Sequence, residues 1–367
     1  MSIINCQLSI CKAKLCAGGF LISIVIAILV FSLIVLLHEL GHFVAARLTG
    51  VKVNEFALGM GPKLLKIQKG ETLYTIRAIP MGGFCAMEGE ERSSEDTRAY
   101  YNKAVWKRAV ICAAGAFMNL VLGFLLCVFL NVQSPAYAST TIKEFAKDAS
   151  TAQSGLQVGD KVVSVNNNPV VNASDMMFSI LRDKDADEGV NIVVKRDGKK
   201  VPLTIKFDCE EVDGRKVFIR DFNFVQTPKN FFTVISESFL DGVSFVKLVW
   251  FSLVDLVTGQ VSANEMSGPI GVTGAISDAV SAGETILEKI NSIVYMVTLI
   301  TINLGVFNLL PLPALDGGKL IFLALEAIRR KPVKPEHEGY VHLVGFALLI
   351  AMMIFVTFND IVRLIKR

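Results

Sequence analysis

The chain has 367 residues, 52% hydrophobic and only 19% charged, whereas soluble domains carry about 25% charge; this excludes an ordinary soluble protein and points to a membrane protein with a polar domain. Net charge is +3, from 37 basic and 34 acidic residues, and no basic run is interleaved with aromatics, which excludes a nucleic-acid partner. The seven cysteines form no CxxC pair, which excludes a disulfide scaffold and a cysteine zinc site.

A membrane-crossing helix needs about 20 mostly apolar residues. The first such block, Leu15 to Leu37, contains no charge, and the helix it predicts covers 15–46. Lys12 and Lys14 precede it, as in a secretory leader. Its apolar core is longer than a leader's, however, and no small-x-small cleavage site follows, so it is expected to be retained. Further spans are predicted over 108–132, 286–310 and 341–362.

Between the first two spans, 47–107 forms a loop. Eleven Lys and Arg lie between Arg47 and Arg108, against two before the first span. Arg329, Arg330, Lys331 and Lys334 make the last connection basic as well. Basic loops stay in the cytoplasm, so both termini and the segment 131–284 are expected on the opposite side of the membrane. Within the loop, L-Y-T-I-R-A-I (73–79) alternates and runs into P-M-G-G (80–83). This predicts a β-hairpin whose edge could accept an extended peptide as an added strand.

Residues 140–225 read as a small β-rich domain, with short alternating runs flanking Asp197-Gly198, a hairpin-turn signal. Residues 231–259 read as an amphipathic helix. Glu237, Asp241, Lys247 and Asp255 fall within an arc of about 120°, and apolar residues fill the rest, which suits a helix lying at the membrane surface or against the spans.

The chemistry sits at the end of the first apolar block, in H-E-L-G-H: His38, Glu39 and His42. On a helix, positions i and i+4 share a face, so both imidazoles can bind one metal ion. Glu39 stands one step round, close enough to take a proton from a water at that ion. Such groups are costly in lipid unless partnered. A catalytic zinc needs a third protein ligand and an open position. His337 and His342 are the only other histidines; Asp316, in N-L-L-P-L-P-A-L-D-G-G (308–318), is the better candidate. Pro311 and Pro313 break the helix and Gly317 and Gly318 free the backbone, which sets the aspartate on an irregular segment between apolar runs. The competing reading of Asp316 is a cap for the following helix.

These motifs resemble the site-2 proteases, intramembrane zinc metalloproteases of the bacterial sigma-E-regulating type. Besides HELGH, the resemblance rests on F-A-L-G-M-G-P (56–62), I-R-A-I-P-M-G-G-F (76–84), R-A-V-I-C-A-A-G-A-F-M-N (108–119), S-G-P-I-G-V (267–272) and the 308–318 motif. It implies zinc held by His38, His42 and Asp316, with Glu39 as catalytic base. It also implies Asn308 holding substrate, and a hairpin with Gly82 and Gly83 that pairs with an extended substrate. Ala116 stands where the family usually has proline. S-G-L-Q-V-G-D-K-V-V-S-V-N-N-N-P-V (154–170) resembles a PDZ signature, with Asn168 in the place of its turn glycine.

The expected architecture is therefore an α-helical polytopic membrane protein with four transmembrane helices, a membrane-associated β-hairpin and an inserted β-rich PDZ-like domain. Expected partners are the lipid bilayer and single-span membrane proteins such as a membrane-bound anti-sigma factor. A membrane zinc carrier and a non-catalytic PDZ-based scaffold are the rival functions; the carrier explains neither a glutamate beside the first histidine nor a PDZ-like module.

Overall fold

A computed structural model describes residues 2–90, 94–183, 188–212, 215–260, 268, 271, 274, 285–331, 333 and 335–366. In chain order the elements are α1 (Ser2–Thr49), β1 (Val53–Lys69), β2 (Thr72–Met87), α2 (Val105–Gln133), β3 (Ala136–Phe145), α3 (Ser150–Gln153), β4 (Lys161–Val165), β5 (Asn168–Pro169), α4 (Ala173–Leu181) and β6 (Val190–Arg196). They continue with β7 (Lys199–Ile205), β8 (Cys209–Val212), β9 (Arg215–Phe218), β10 (Phe222–Pro228), α5 (Phe231–Val257), α6 (Ile286–Asn308), α7 (Asp316–Arg329) and α8 (Pro335–Lys366). Two compact units emerge, one of residues 1–123 with 254–367, the other of residues 124–253.

Among the described residues, four helical stretches are long and apolar enough to cross a bilayer: Ile24–Thr49, Val105–Gln133, Ile286–Asn308 and His337–Val362; the second of them contributes to both units. The protein is thus a polytopic membrane protein. Helices in lipid associate through close packing of small residues rather than through a hydrophobic drive, and α1 meets α2 in this way. A Cβ on Gly41 would lie 2.3 Å from the Ala114 carbonyl oxygen, so only glycine lets the two backbones touch there. Ala116 is fully buried inside an unbroken α2, so the missing proline leaves that helix regular. The S-G-P-I-G-V motif falls mostly outside the described residues; of it, the Gly268 and Gly271 N–H groups donate to Asp360 Oδ2 at 2.9 and 2.8 Å.

The expected hairpin is β1 with β2, reversing at Gly70-Glu71 between the paired Lys69 and Thr72. It is bent on itself. Glu55 to Leu58 lie opposite Gly83 to Ala86 and also opposite Leu73 to Ile76. Gly59, Gly61 and Gly82, all at positive φ, supply the backbone freedom for that bend. The hairpin docks on α1 through Phe43, Phe56 and Tyr74, whose ring centroids lie 5.2 to 6.3 Å apart. Ser32 on α1 also donates to the Pro80 carbonyl.

The second unit holds a sheet in the order β10-β3-β4-β6-β7, with β5 on β4. Its core includes Ile142, Val162, Val165, Met176, Ile180, Ile192 and Ile205, all buried. Asp197 and Gly198, at φ 49° and 81°, make the tight turn between β6 and β7 that the sequence predicts. The β4–β5 turn is displaced from its expected place. The left-handed residues are Asn166 and Asn167, at φ 46° and 63°, while Asn168 already pairs with Val165. Two consecutive left-handed residues are what a two-residue hairpin turn demands, and asparagine tolerates them.

Helix α5 uses its polar arc unexpectedly. Asp241 accepts hydrogen bonds from Asn131 at 2.8 Å and Asn172 at 2.7 Å, and Lys247 pairs with Asp175 at 2.6 Å. The charges thus hold the end of α2 and the β-domain, all within this unit. Phe232, Phe239 and Trp250 are left exposed.

A candidate metal centre

Helix α1 runs unbroken through H-E-L-G-H, so His38 and His42 share one face. Asp316 comes from a different part of the chain. Helix α6 stops at Asn308, the Pro311–Pro313 stretch is irregular, and α7 begins at Asp316 itself. Leu315 occupies the cap position and makes no side-chain cap bond. The capping reading of Asp316 therefore fails, and its carboxylate turns to the two histidines instead. Gly317 and Gly318 allow this: a Cβ on either would lie 2.1 Å from the Leu310 oxygen or 2.4 Å from the Leu312 oxygen.

The three candidate ligand atoms form a nearly equilateral triangle. His38 Nε2 and His42 Nε2 are 3.2 Å apart, and Asp316 Oδ2 lies 3.3 Å from the first and 3.4 Å from the second. A tetrahedral zinc ion with ligands at about 2.0–2.1 Å has edges of about 3.3–3.4 Å. Asp316 Oδ2 is also buried with no donor in hydrogen-bonding geometry, an arrangement that burial penalises unless a cation joins it. The donor set, two imidazoles and a carboxylate, is one used by catalytic zinc. Among the described residues, His38, His42 and Asp316 form the one such group with its ligand atoms in reach of one ion. The residues fit zinc.

The surroundings hold these candidate ligands in place. His42 Nδ1 faces the Ile111 carbonyl at 2.8 Å, which leaves Nε2 as the nitrogen free for a metal. His38 Nδ1 faces the Asn119 amide at 3.3 Å. Gly115 makes room: a Cβ there would sit 2.3 Å from His42 Nε2 and 2.7 Å from His38 Cε1. Ala314, two residues before Asp316, has φ 72° and donates its N–H to His342 Nδ1 at 2.8 Å. His342 thus supports the aspartate's segment and is not itself in the metal triangle.

Glu39 lines the same cavity of about 670 Å³, together with the three candidate ligands, Asn308, Phe84, Cys85 and Lys319. A Cβ on Gly83 would fall 3.5 Å from Glu39 Cγ, so β2 passes beside the carboxylate. Asn308 Nδ2 lies 3.5 Å from His38 Nε2. Of the residues predicted from sequence, His38, Glu39, His42, Gly83, Asn308 and Asp316 therefore gather at one place. Gly82 turns elsewhere, toward the Met60 side chain. Sequence reasoning gave no role to Asn119 or Gly115, and considered His342 only as a rival third ligand. A polar asparagine deep in an apolar span was the available signal for the first.

The family model for peptidase family M50 matches residues 26–352. A Clostridium acetobutylicum protein provisionally named a zinc metalloprotease is 38% identical over 93% of this chain and 97% of its own length. The regulator of sigma-W protease RasP of Bacillus subtilis is 27% identical over 94% of this chain and 99% of its own, and the zinc metalloprotease RasP of Shouchella clausii is 30% identical over 92% and 98%. The chain belongs to peptidase family M50, the zinc-dependent site-2 proteases of membranes.

Proposed function

We propose that the protein hydrolyses peptide bonds inside the transmembrane segments of single-span membrane proteins, with His38, His42 and Asp316 as zinc ligands and Glu39 as general base. The observation that carries this reading is the triangle of ligand atoms, 3.2 to 3.4 Å on a side, beside Glu39 in one cavity and at the end of an apolar helix. Zinc bound there supplies a Lewis acid for the scissile carbonyl and brings the pKa of water toward about 7. Glu39 takes the water's proton on its carboxylate and returns it to the leaving amine.

A helical substrate shields its peptide bonds within its own hydrogen bonds, so it must unwind first. The passage of β2 beside Glu39 supports pairing of an extended substrate with this edge, with Gly83 keeping the approach open. Asn308, beside the metal triangle, would hold a substrate amide or carbonyl. The exposed Met60, Leu64, Leu65, Ile67 and Ile79 on the hairpin support its contact with the membrane.

The basic loop supports a cytoplasmic active site in a bacterial inner membrane, with residues 140–225 on the periplasmic side. We read that domain as PDZ-like. S-G-L-Q-V-G-D-K leads from α3 into β4, and the two-asparagine turn follows. Its role would be to exclude proteins whose outer domains are still intact. A membrane-bound anti-sigma factor is a fitting substrate, because one relative is named for regulating sigma-W.

Co-expression with a single-span substrate lacking its outer domain tests the reading. Wild type should cleave it and Glu39→Gln should not; equal cleavage by both would sink the mechanism.

A further inference from the structure

We propose that Asn119 is a positioning residue for the metal site: its side-chain carbonyl accepts the Nδ1–H of His38 and thereby fixes the tautomer that frees His38 Nε2 for zinc. The proposal rests on the ligand set above. Asn119 is fully buried in α2. Its amide nitrogen lies 3.3 Å from His38 Nδ1, and its amide oxygen is buried with no partner.

A neutral imidazole that offers its Nε2 lone pair to a metal carries its proton on Nδ1 and can only donate from there. An amide NH2 facing that N–H sets donor against donor. The two ends of an amide occupy nearly the same space, and turning the Asn119 amide by half a turn presents its oxygen to the His38 N–H. The buried oxygen then gains a partner. His42 already shows the equivalent bond, since its Nδ1 faces the Ile111 carbonyl, which can only accept, at 2.8 Å. Helix α2 thus steers both histidines, one through its backbone and one through Asn119. Such partners of metal-bound histidine set ring orientation and ligand basicity.

Zinc affinity of the full-length protein in detergent, measured by competition with a chromogenic chelator, tests this. A carboxylate can only accept, so Asn119→Asp should bind zinc within about threefold of wild type or tighter, while Asn119→Leu should bind about 10- to 100-fold more weakly. Zinc lost in Asn119→Asp, or wild-type affinity in Asn119→Leu, overturns the proposal. Should Asn119→Leu fail to fold, Asn119→Asp decides alone: zinc retained supports the proposal and zinc lost overturns it. Wild-type zinc affinity in His42→Ala would instead sink the ligand set, which separates the two failures.

Discussion

Ala314, at φ 72°, donates its N–H to His342 Nδ1 on α8, two residues before Asp316. A non-glycine residue held left-handed stores strain of about 1–3 kcal/mol, so something must hold it there, and His342 supplies that acceptor. The histidine that sequence alone offers as a rival metal ligand therefore acts one step behind the real candidate.

Asp316→Asn should abolish stoichiometric zinc. His342→Ala should weaken zinc binding by about tenfold or less, because it removes one hydrogen bond, worth about 0.5–1.5 kcal/mol, from the supporting segment. Metal analysis of both purified variants checks this. Loss of zinc in His342→Ala with retention in Asp316→Asn would reverse the assignment.

Gly115→Ala puts a methyl group 2.3 Å from His42 Nε2. We expect a folded protein without zinc, read by metal content beside thermal unfolding. Gly242→Ala on α5 meets nothing within 4 Å and should leave zinc unchanged while gaining about 0.5–1 kcal/mol from helix propensity.

The hairpin should be sensitive to acid through Glu55. Burial raises its pKa, but hydrogen bonds from Lys63, Arg77 and Thr75 outweigh that and hold the carboxyl at about 2. A depressed folded pKa contributes stability above the unfolded value, 4.5, and that contribution disappears as pH falls through the folded one. Hydrogen exchange of residues 53–87 should be protected and pH-independent in opening above about pH 5, then lose protection toward pH 2. Glu55→Gln should remove that step, and an unchanged step would refute the assignment.

In the second unit, Asp241 ties Asn131 to Asn172. Asp241→Ala leaves two amides without their charged acceptor and should cost about 2–3 kcal/mol. Limited proteolysis of residues 134–230 reports it. Resistance equal to wild type would show that the tie carries no stability.

Local pattern carried much of this protein. H-E-L-G-H needs only helical spacing to bring His38 and His42 together, and Asp197-Gly198 needs only the geometry of a tight turn. Asp316 was legible because prolines and glycines in a row break a helix whatever surrounds them. Gly115, Asn119 and His342 were not, because their roles exist only once α2 and α8 are in register with α1 and with the Pro313–Asp316 segment. A periodic pattern tells which face of a helix is polar, not what that face meets. On α5 the charged arc left open whether the helix lies at the membrane surface or against the spans, and it could not tell that Asp241 and Lys247 bind Asn131, Asn172 and Asp175. Likewise the left-handed turn at Asn166 and Asn167, rather than Asn168, follows from the pairing of β4 with β5, which sequence spacing leaves open by a residue or two.

Glu39 is expected to work beside zinc on a peptide bond within a membrane segment. The decisive comparison is between purified wild type and Glu39→Gln, each loaded with zinc and mixed in detergent with a single-span substrate, with products mapped by mass spectrometry. Wild type should cleave inside the apolar segment, and Glu39→Gln should not although its zinc content is unchanged. Cleavage by Glu39→Gln at the wild-type rate, or wild-type cuts only outside the apolar segment, would contradict this expectation.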